Sequence, residues 1–285
     1  MLVLGCGKSL KNSIFVLMSK NSLLLVDPNF KADTSVNCHL LLKITNDSFS
    51  YAVINKDSEE INVIFDKQGC EDLKQDLKVA FESDSFLSQK YSAIKAAIHT
   101  SNFIFIPDEW FDKDNLSVYS KFLGPEGKVY TKHHDELGFN TLFSLDEKVE
   151  EKLPENTVFY PQSSPLLALF SHLSGDALLI DFTASSFNVL FVKDKKINFQ
   201  NHYEAETAEE FNYFLLLIIE QLGLTESAPV YLQGIINEDD DYYNTLLKYF
   251  NNLYFFLPAG KQNSELLADM PKHYFSGLLA LDLCE

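Results

Sequence analysis

Apolar residues in this chain come in short dense runs separated by small polar turns, and the clearest set lies between 175 and 204. Residues 177–180 are apolar throughout, which predicts a strand covered on both faces. The run 187–192 is nearly as dense. Ile197 and Phe199 then alternate with polar neighbours, as on a half-exposed strand. Together the three runs predict a meander. Over 207–222 the period becomes helical, with Phe211, Phe214, Leu215 and Ile218 on a wide apolar face suited to packing against a sheet. The run 229–232 predicts one more strand.

The same rhythm occurs earlier. Runs at 38–44, 49–54 and 61–65 predict three strands, with Asn46-Asp47 at the first turn. A shift of 138 residues carries Leu40 onto Leu178, Leu41 onto Leu179, Thr45 onto Thr183, Ser48 onto Ser186 and Phe49 onto Phe187. Val53 and Ile54 fall on Phe191 and Val192, and the spacing then slips by two residues so that Ile61 meets Ile197. Matching turns and matching apolar phase predict an internal duplication. A helix at 71–81, with Leu73, Leu77 and Ala80 on one stripe, is the expected counterpart of 207–222. Alternation at Ile94, Ala96 and Ile98 predicts a hairpin that turns at Ser101-Asn102 and returns over 103–106. That returning strand is the expected counterpart of 230–232, and a short helix at 112–122 that of 241–250.

Further elements are expected as strands at 128–132, 139–143, 158–160 and 253–257, and as helices at 146–153, 163–172 and 274–283. Ser163 or Ser164 is the expected cap of 163–172, with Pro165 in its first turn. Near the start, 23–26 reads as a short edge strand ended by Asp27-Pro28. Gly5-Cys6-Gly7-Lys8-Ser9 is not a phosphate loop, because Leu2 stands where the first glycine is needed and too few residues precede it for a strand. Met18 is an alternative start, with residues 1–17 an over-extended frame. The expected organisation is an extension at 1–36, a first lobe at 37–174 and a second at 175–285. The fold class is α/β, each lobe a mixed sheet flanked by helices.

Charge narrows the partners. Against 41 acidic residues the 285-residue chain has 23 basic ones, a net charge of −18, which argues against nucleic acid and anionic membranes. No run of about 20 apolar residues is present, so no direct membrane insertion is expected. Cys6, Cys38, Cys70 and Cys284 form no CxxC pair and read as thiols of a reducing compartment, hence a cytoplasmic protein. His133-His134-Asp135-Glu136 is the densest set of metal-ligating types, but adjacent histidines on a strand point to opposite faces, so no metal is expected. Neither HExxH nor GxSxG occurs, and no catalytic residue is assigned. The acidic run 238–241 suits the start of a helix. Trp110-Phe111, past a strand end, is either core or, if exposed, a contact for a protein partner.

Two copies of strand-strand-strand-helix-strand-helix resemble the actin-like ATPase superfamily, with its ribonuclease H-like lobes. That group includes actin, sugar kinases, Hsp70 chaperones and the pilus protein PilM. The stretches SFSYAVI around Phe49, Phe103 through Pro107 followed by Phe111, and LLIDFTASSFNVLFV resemble the bacterial family known as domain of unknown function 3822. The resemblance implies a duplicated actin-like fold without an established activity. In active members a glycine and an aspartate in the turn after each first strand serve the phosphates and magnesium of ATP. Here those positions fall on Lys43 and Thr45 in the first copy and on Asp181 and Thr183 in the second, and Gly234 alone remains of the paired adenosine glycines. The expected role is a non-catalytic cytoplasmic interaction or scaffold protein with no cofactor and an unidentified protein partner. The alternative is an ATP-binding protein or weak ATPase that uses magnesium and the cleft between the lobes.

Overall fold

The computed structural model describes residues 15–19, 21–124, 127–169, 173, 175–256 and 265–284. The chain forms two compact units, Met1–Pro161 with Asn263–Asp269, and Gln162–Gln262 with Met270–Glu285. The Gly5–Ser9 stretch and Cys6 lie outside the described residues.

In the first unit the strands are β1 (Phe15–Ser19), β2 (Ser22–Val26), β3 (Cys38–Ile44), β4 (Phe49–Asn55) and β5 (Ile61–Lys67). Helix α1 (Leu73–Ser83) and strand β6 (Ala93–Ile98) follow. Next come β7 (Phe103–Pro107), α2 (Leu116–Tyr119), β8 (Lys128–His134), β9 (Phe139–Leu145), α3 (Glu147–Glu150) and β10 (Thr157–Pro161). The main sheet runs β1-β2-β5-β4-β3-β6-β10. Residues 15–19 and 22–26 therefore belong to this sheet rather than to a separate extension, and β2 is one strand in from the edge because β1 pairs outside it. Alternate residues Leu40, Leu42 and Ile44 of β3, Tyr51 and Val53 of β4, and Ile94, Ala96 and Ile98 of β6 share one cluster with Leu77 of α1. The period-2 pattern thus puts one face of three strands under one helix. Asp72 starts that helix by accepting a hydrogen bond from the Gln75 amide at 3.0 Å.

Two expectations fail in the middle of this unit. Strands β6 and β7 are not a hairpin: β6 pairs in parallel with β3 and β10, and β7 lies in a separate three-stranded sheet ordered β7-β9-β8. The apolar Ile94, Ala96 and Ile98 are buried by the central sheet, so their alternation reflects the core and not the Ser101-Asn102 turn. The counterpart of 230–232 is accordingly β6, not 103–106. Residues 112–122 form short 3-10 turns at Lys113–Asn115 and Ser120–Phe122 around α2. They belong with the inserted three-stranded sheet, where Leu116 and Tyr119 pack with Ile106 and Leu142.

The second unit begins at α4 (Ser163–Ala168). It continues with β11 (Ala177–Phe182), β12 (Ser186–Lys193), β13 (Lys196–Glu204), α5 (Ala208–Leu222), β14 (Pro229–Gly234), α6 (Asp241–Leu246), β15 (Asn252–Phe255) and α7 (Ser276–Leu279). The boundary between units falls at Pro161 rather than at 174, since α4 packs against β12, α7 and the 3-10 turn Ala280–Leu283. Gln162, not Ser163 or Ser164, holds the position before α4, and it makes no side-chain cap. Thr207 caps α5 in a reciprocal box with Glu210. The acidic run does start a helix: Asp240 accepts from the Tyr243 amide at 2.8 Å.

The sheet order β13-β12-β11-β14-β15 repeats β5-β4-β3-β6-β10 of the first unit, with the same two antiparallel and two parallel pairings. Even the irregularity repeats. A bulge falls between Val53 and Ile54 on β4 and between Phe191 and Val192 on β12, the pairs that the 138-residue shift superposes. Asn62 and Asn198 are the extra residues on the partner strands. The bulge is common to both copies, so the two-residue slip in the sequence comes instead from the hairpin turn, which spans 55–60 in the first copy and only 193–196 in the second.

Candidate functional site

Each copy places its candidate residues at the end of the first strand and in the turn beyond it. In the first, Lys43 stands opposite Ser50 of β4 and Ala97 of β6, and Thr45 opens the turn. In the second, Asp181 stands opposite Asn188 of β12 and Gln233 of β14, and Thr183 opens the turn. Lys43 and Thr45 thus lie in one unit and Asp181, Thr183 and Gly234 in the other.

The two turns close the same way. Thr45 Oγ1 is 2.6 Å from Ser48 Oγ, and the Thr45 amide donates to the Ser48 carbonyl at 2.9 Å. Thr183 Oγ1 is 2.7 Å from Ser186 Oγ, and the Thr183 amide donates to the Ser186 carbonyl at 2.8 Å. The Ser186 amide in turn donates to Thr183 Oγ1 at 3.1 Å. Each turn is thus closed by a short hydroxyl side chain at either end, bonded to its mate.

Asp181 is 1% exposed. Its neighbours Leu178, Ile180 and Phe182 pack with Phe211 of α5, so by alternation the carboxylate faces the other side of the sheet. There it meets α7. A methyl group added at Gly277 would stand 3.1 and 3.3 Å from the two carboxylate oxygens, tight enough to force them aside. Gly234 ends β14 with φ +80°, and a methyl group there would lie 2.1 Å from the Phe182 carbonyl oxygen. Its amide donates to the His273 carbonyl at 2.9 Å. Close approach of β14 to β11 is therefore enough to require this glycine.

Three further residues complete a polar row that sequence reasoning missed: Gln233, Asn188 and His202, in register across β14, β11, β12 and β13 with Asp181 among them. Gln233 and Asn188 are fully buried, and His202 Nδ1 is 3.0 Å from Asn188 Oδ1. Burial pushes the His202 imidazole below its ordinary range, against the pull of Glu204 and Asp181. The available signal was Asn188, a lone amide inside the apolar run 187–192. A triphosphate needs converging backbone amides, and magnesium needs accessible carboxylates. Turns whose Thr183 and Ser186 amides are spent internally, beside a carboxylate buried against a helix, do not fit that group.

The inserted sheet holds a second cluster, around an open hollow of about 560 Å³ lined by Asp108, Phe111, Leu116, Thr131, His133 and Asn140, among others. His133 sits between Asp108 at 3.2 Å and Asp135 at 2.8 Å, and Asn140 Nδ2 donates to Asp108 Oδ1 at 2.7 Å. His134 points the other way, to Thr141 Oγ1 at 2.9 Å, as expected of adjacent strand residues. Burial first, then Lys132 and His133, press the His134 imidazole down to about 4. Among the described residues no group of three His, Cys, Asp or Glu side chains is placed to hold a metal ion. Trp110 is 70% exposed, whereas Phe111 is half-buried and stacked on Tyr119. No helix among the described residues is long and apolar enough to cross a membrane.

The repeated sheet order is that of an actin-like ATPase fold. A protein of Bacteroides thetaiotaomicron VPI-5482 with that fold and unknown function is similar with a TM-score of 0.70 and 20% identity, over 85% of this chain and 99% of that one. A chain of the PilM–PilN type IV pilus biogenesis complex is similar with a TM-score of 0.55 and 11% identity, over 87% and 98% of the two chains. The chain belongs to the protein family of unknown function DUF3822, whose model matches residues 27–253. No curated protein matches its sequence.

Proposed function

We propose that this protein is a non-catalytic cytoplasmic interaction protein, which holds a protein partner on a fold that elsewhere serves ATP. The observation that carries the reading is the closure of both turns on their own side chains, Thr45 with Ser48 and Thr183 with Ser186. In this reading Lys43, Thr45, Asp181, Thr183 and Gly234 shape the strand ends and bind no cofactor. The fold's similarity to a chain of the PilM–PilN complex supports a partner-holding role, since that chain is found assembled with a protein. The inserted sheet and its turns offer a suitable contact in Trp110, 70% exposed, and Phe122, 75% exposed. Buried free thiols at Cys38, Cys70 and Cys284 suit a reducing compartment, and burial, helped by Asp76, pushes the Cys70 thiol up to about 12.

The test is calorimetric titration of the full chain with ATP and magnesium, paired with a phosphate-release assay. No saturable heat is expected up to about 1 mM nucleotide, a limit worth about 4 kcal/mol. Micromolar binding that disappears in Asp181→Ala would replace this reading with that of an ATP-binding protein.

A further inference from the structure

Helix α5 is apolar on two sides. Phe211, Leu215 and Ile218 face the sheet and are buried. On the outer side Tyr213 is 60% exposed, Leu216 44% and Leu217 43%. Positions 209, 213, 216, 217 and 220 follow helical spacing, so these side chains form one stripe with Glu209 and Glu220 at its ends. The outward face of a helix that covers a sheet is ordinarily polar. Here the helix carries Glu209, Glu210 and Glu220 and no Lys or Arg along its 15 residues. An apolar strip whose charged neighbours along the helix are all acids is a surface with a definite complement.

We infer that the outer face of α5 docks an amphipathic helix of a partner protein, one whose apolar stripe covers Tyr213, Leu216 and Leu217 and whose Lys or Arg residues meet Glu209 and Glu220. Charge decides against the other occupants. A second copy laid antiparallel on α5 would set Glu209 against Glu220, and a parallel one would set each acid against itself. Two chains of net charge −18 also repel at long range. An anionic bilayer is repelled for the same reason. A basic helix is steered towards the face, and its leucines find apolar partners already in place. The face lies on the second unit and Trp110 on the first, and it needs no nucleotide to be absent or present. Failure of the ATP titration and failure of this inference are therefore separate events.

The probe is a fluorescein-labelled peptide of about 18 residues, five helical turns, with Leu on one face and Lys on the other. A Leu/Glu peptide of the same pattern is the control. Anisotropy of the full-length chain should show saturable binding of the Leu/Lys peptide, weakened by salt, and none of the control. Leu216→Ser/Leu217→Ser and Glu209→Gln/Glu220→Gln should each weaken it about tenfold or more, equivalent to about 1.4 kcal/mol. Both pairs are exposed, so thermal melting should show the variants folded. Absence of saturable binding would overturn the inference. So would equal affinity in the Leu216→Ser/Leu217→Ser chain, which would mean adsorption elsewhere on an acidic surface. A wild-type dimer in sedimentation that this variant abolishes would assign the face to a second copy instead.

Discussion

Gly234 is the residue at which a structural and a nucleotide-binding explanation give different numbers. Replacing it with alanine imposes two separate costs. The first is the left-handed backbone at φ +80°, worth about 1–2 kcal/mol for an L-residue. The second is contact with the Phe182 carbonyl oxygen at 2.1 Å, which a methyl group cannot tolerate. The end of β14 must move away, and two hydrogen bonds go with it. These are Gly234 amide to His273 carbonyl at 2.9 Å and Ile235 amide to Phe182 carbonyl at 3.0 Å. At about 1 kcal/mol each, the total loss reaches about 3–4 kcal/mol. Gly223, which ends α5, is the control: its φ is +62°, but a methyl group there meets nothing within 4 Å. Gly223→Ala should therefore lose only the backbone part, about 1 kcal/mol. At about 2–4 °C per kcal/mol, thermal unfolding by circular dichroism should drop roughly 10 °C for Gly234→Ala and roughly 3 °C for Gly223→Ala. Equal shifts would refute the close approach of β14 to β11. The glycine would then need another reason, and a ligand would be the first to test.

Thr45→Val and Thr183→Val should each cost about 1–3 kcal/mol in urea unfolding, because each strands a serine partner in a buried turn; a loss in one copy only would contradict the equivalence of the two turns. Acid should weaken the protein before its carboxylates titrate. His134 stays neutral in the folded state down to about pH 4, whereas the unfolded chain takes up its proton near pH 6.5. Its contribution is thus complete above about pH 6.5 and fades by up to about 3 kcal/mol as pH falls towards 4. His202 and His273, both held down by burial, act in the same direction. His134→Gln should flatten part of the decline between pH 7 and 4.5, and an unchanged slope would sink the assignment.

The sequence by itself determined where strands lie and which helix faces are apolar. Dense apolar runs marked β3, β4, β11 and β12. Helical spacing fixed α1 and α5. The 138-residue shift brought Thr45 to Thr183 and Ser48 to Ser186, pairs that build the same turn in both units. These signals are local, since a strand or helix face is written in consecutive residues. Tertiary structure decided the pairings that no local pattern encodes. Ile94, Ala96 and Ile98 alternate equally well in a hairpin and in a central parallel strand; only burial between β3 and β10 selects the second. Gly234 reads as the remnant of a pair of adenosine glycines until the Phe182 carbonyl is seen beside it. Gln233, Asp181, Asn188 and His202 are scattered over the chain and become a row only because four strands bring them into register. Parallel pairing joins segments far apart in sequence, so its register is set by the core as a whole and not by the residues of either strand.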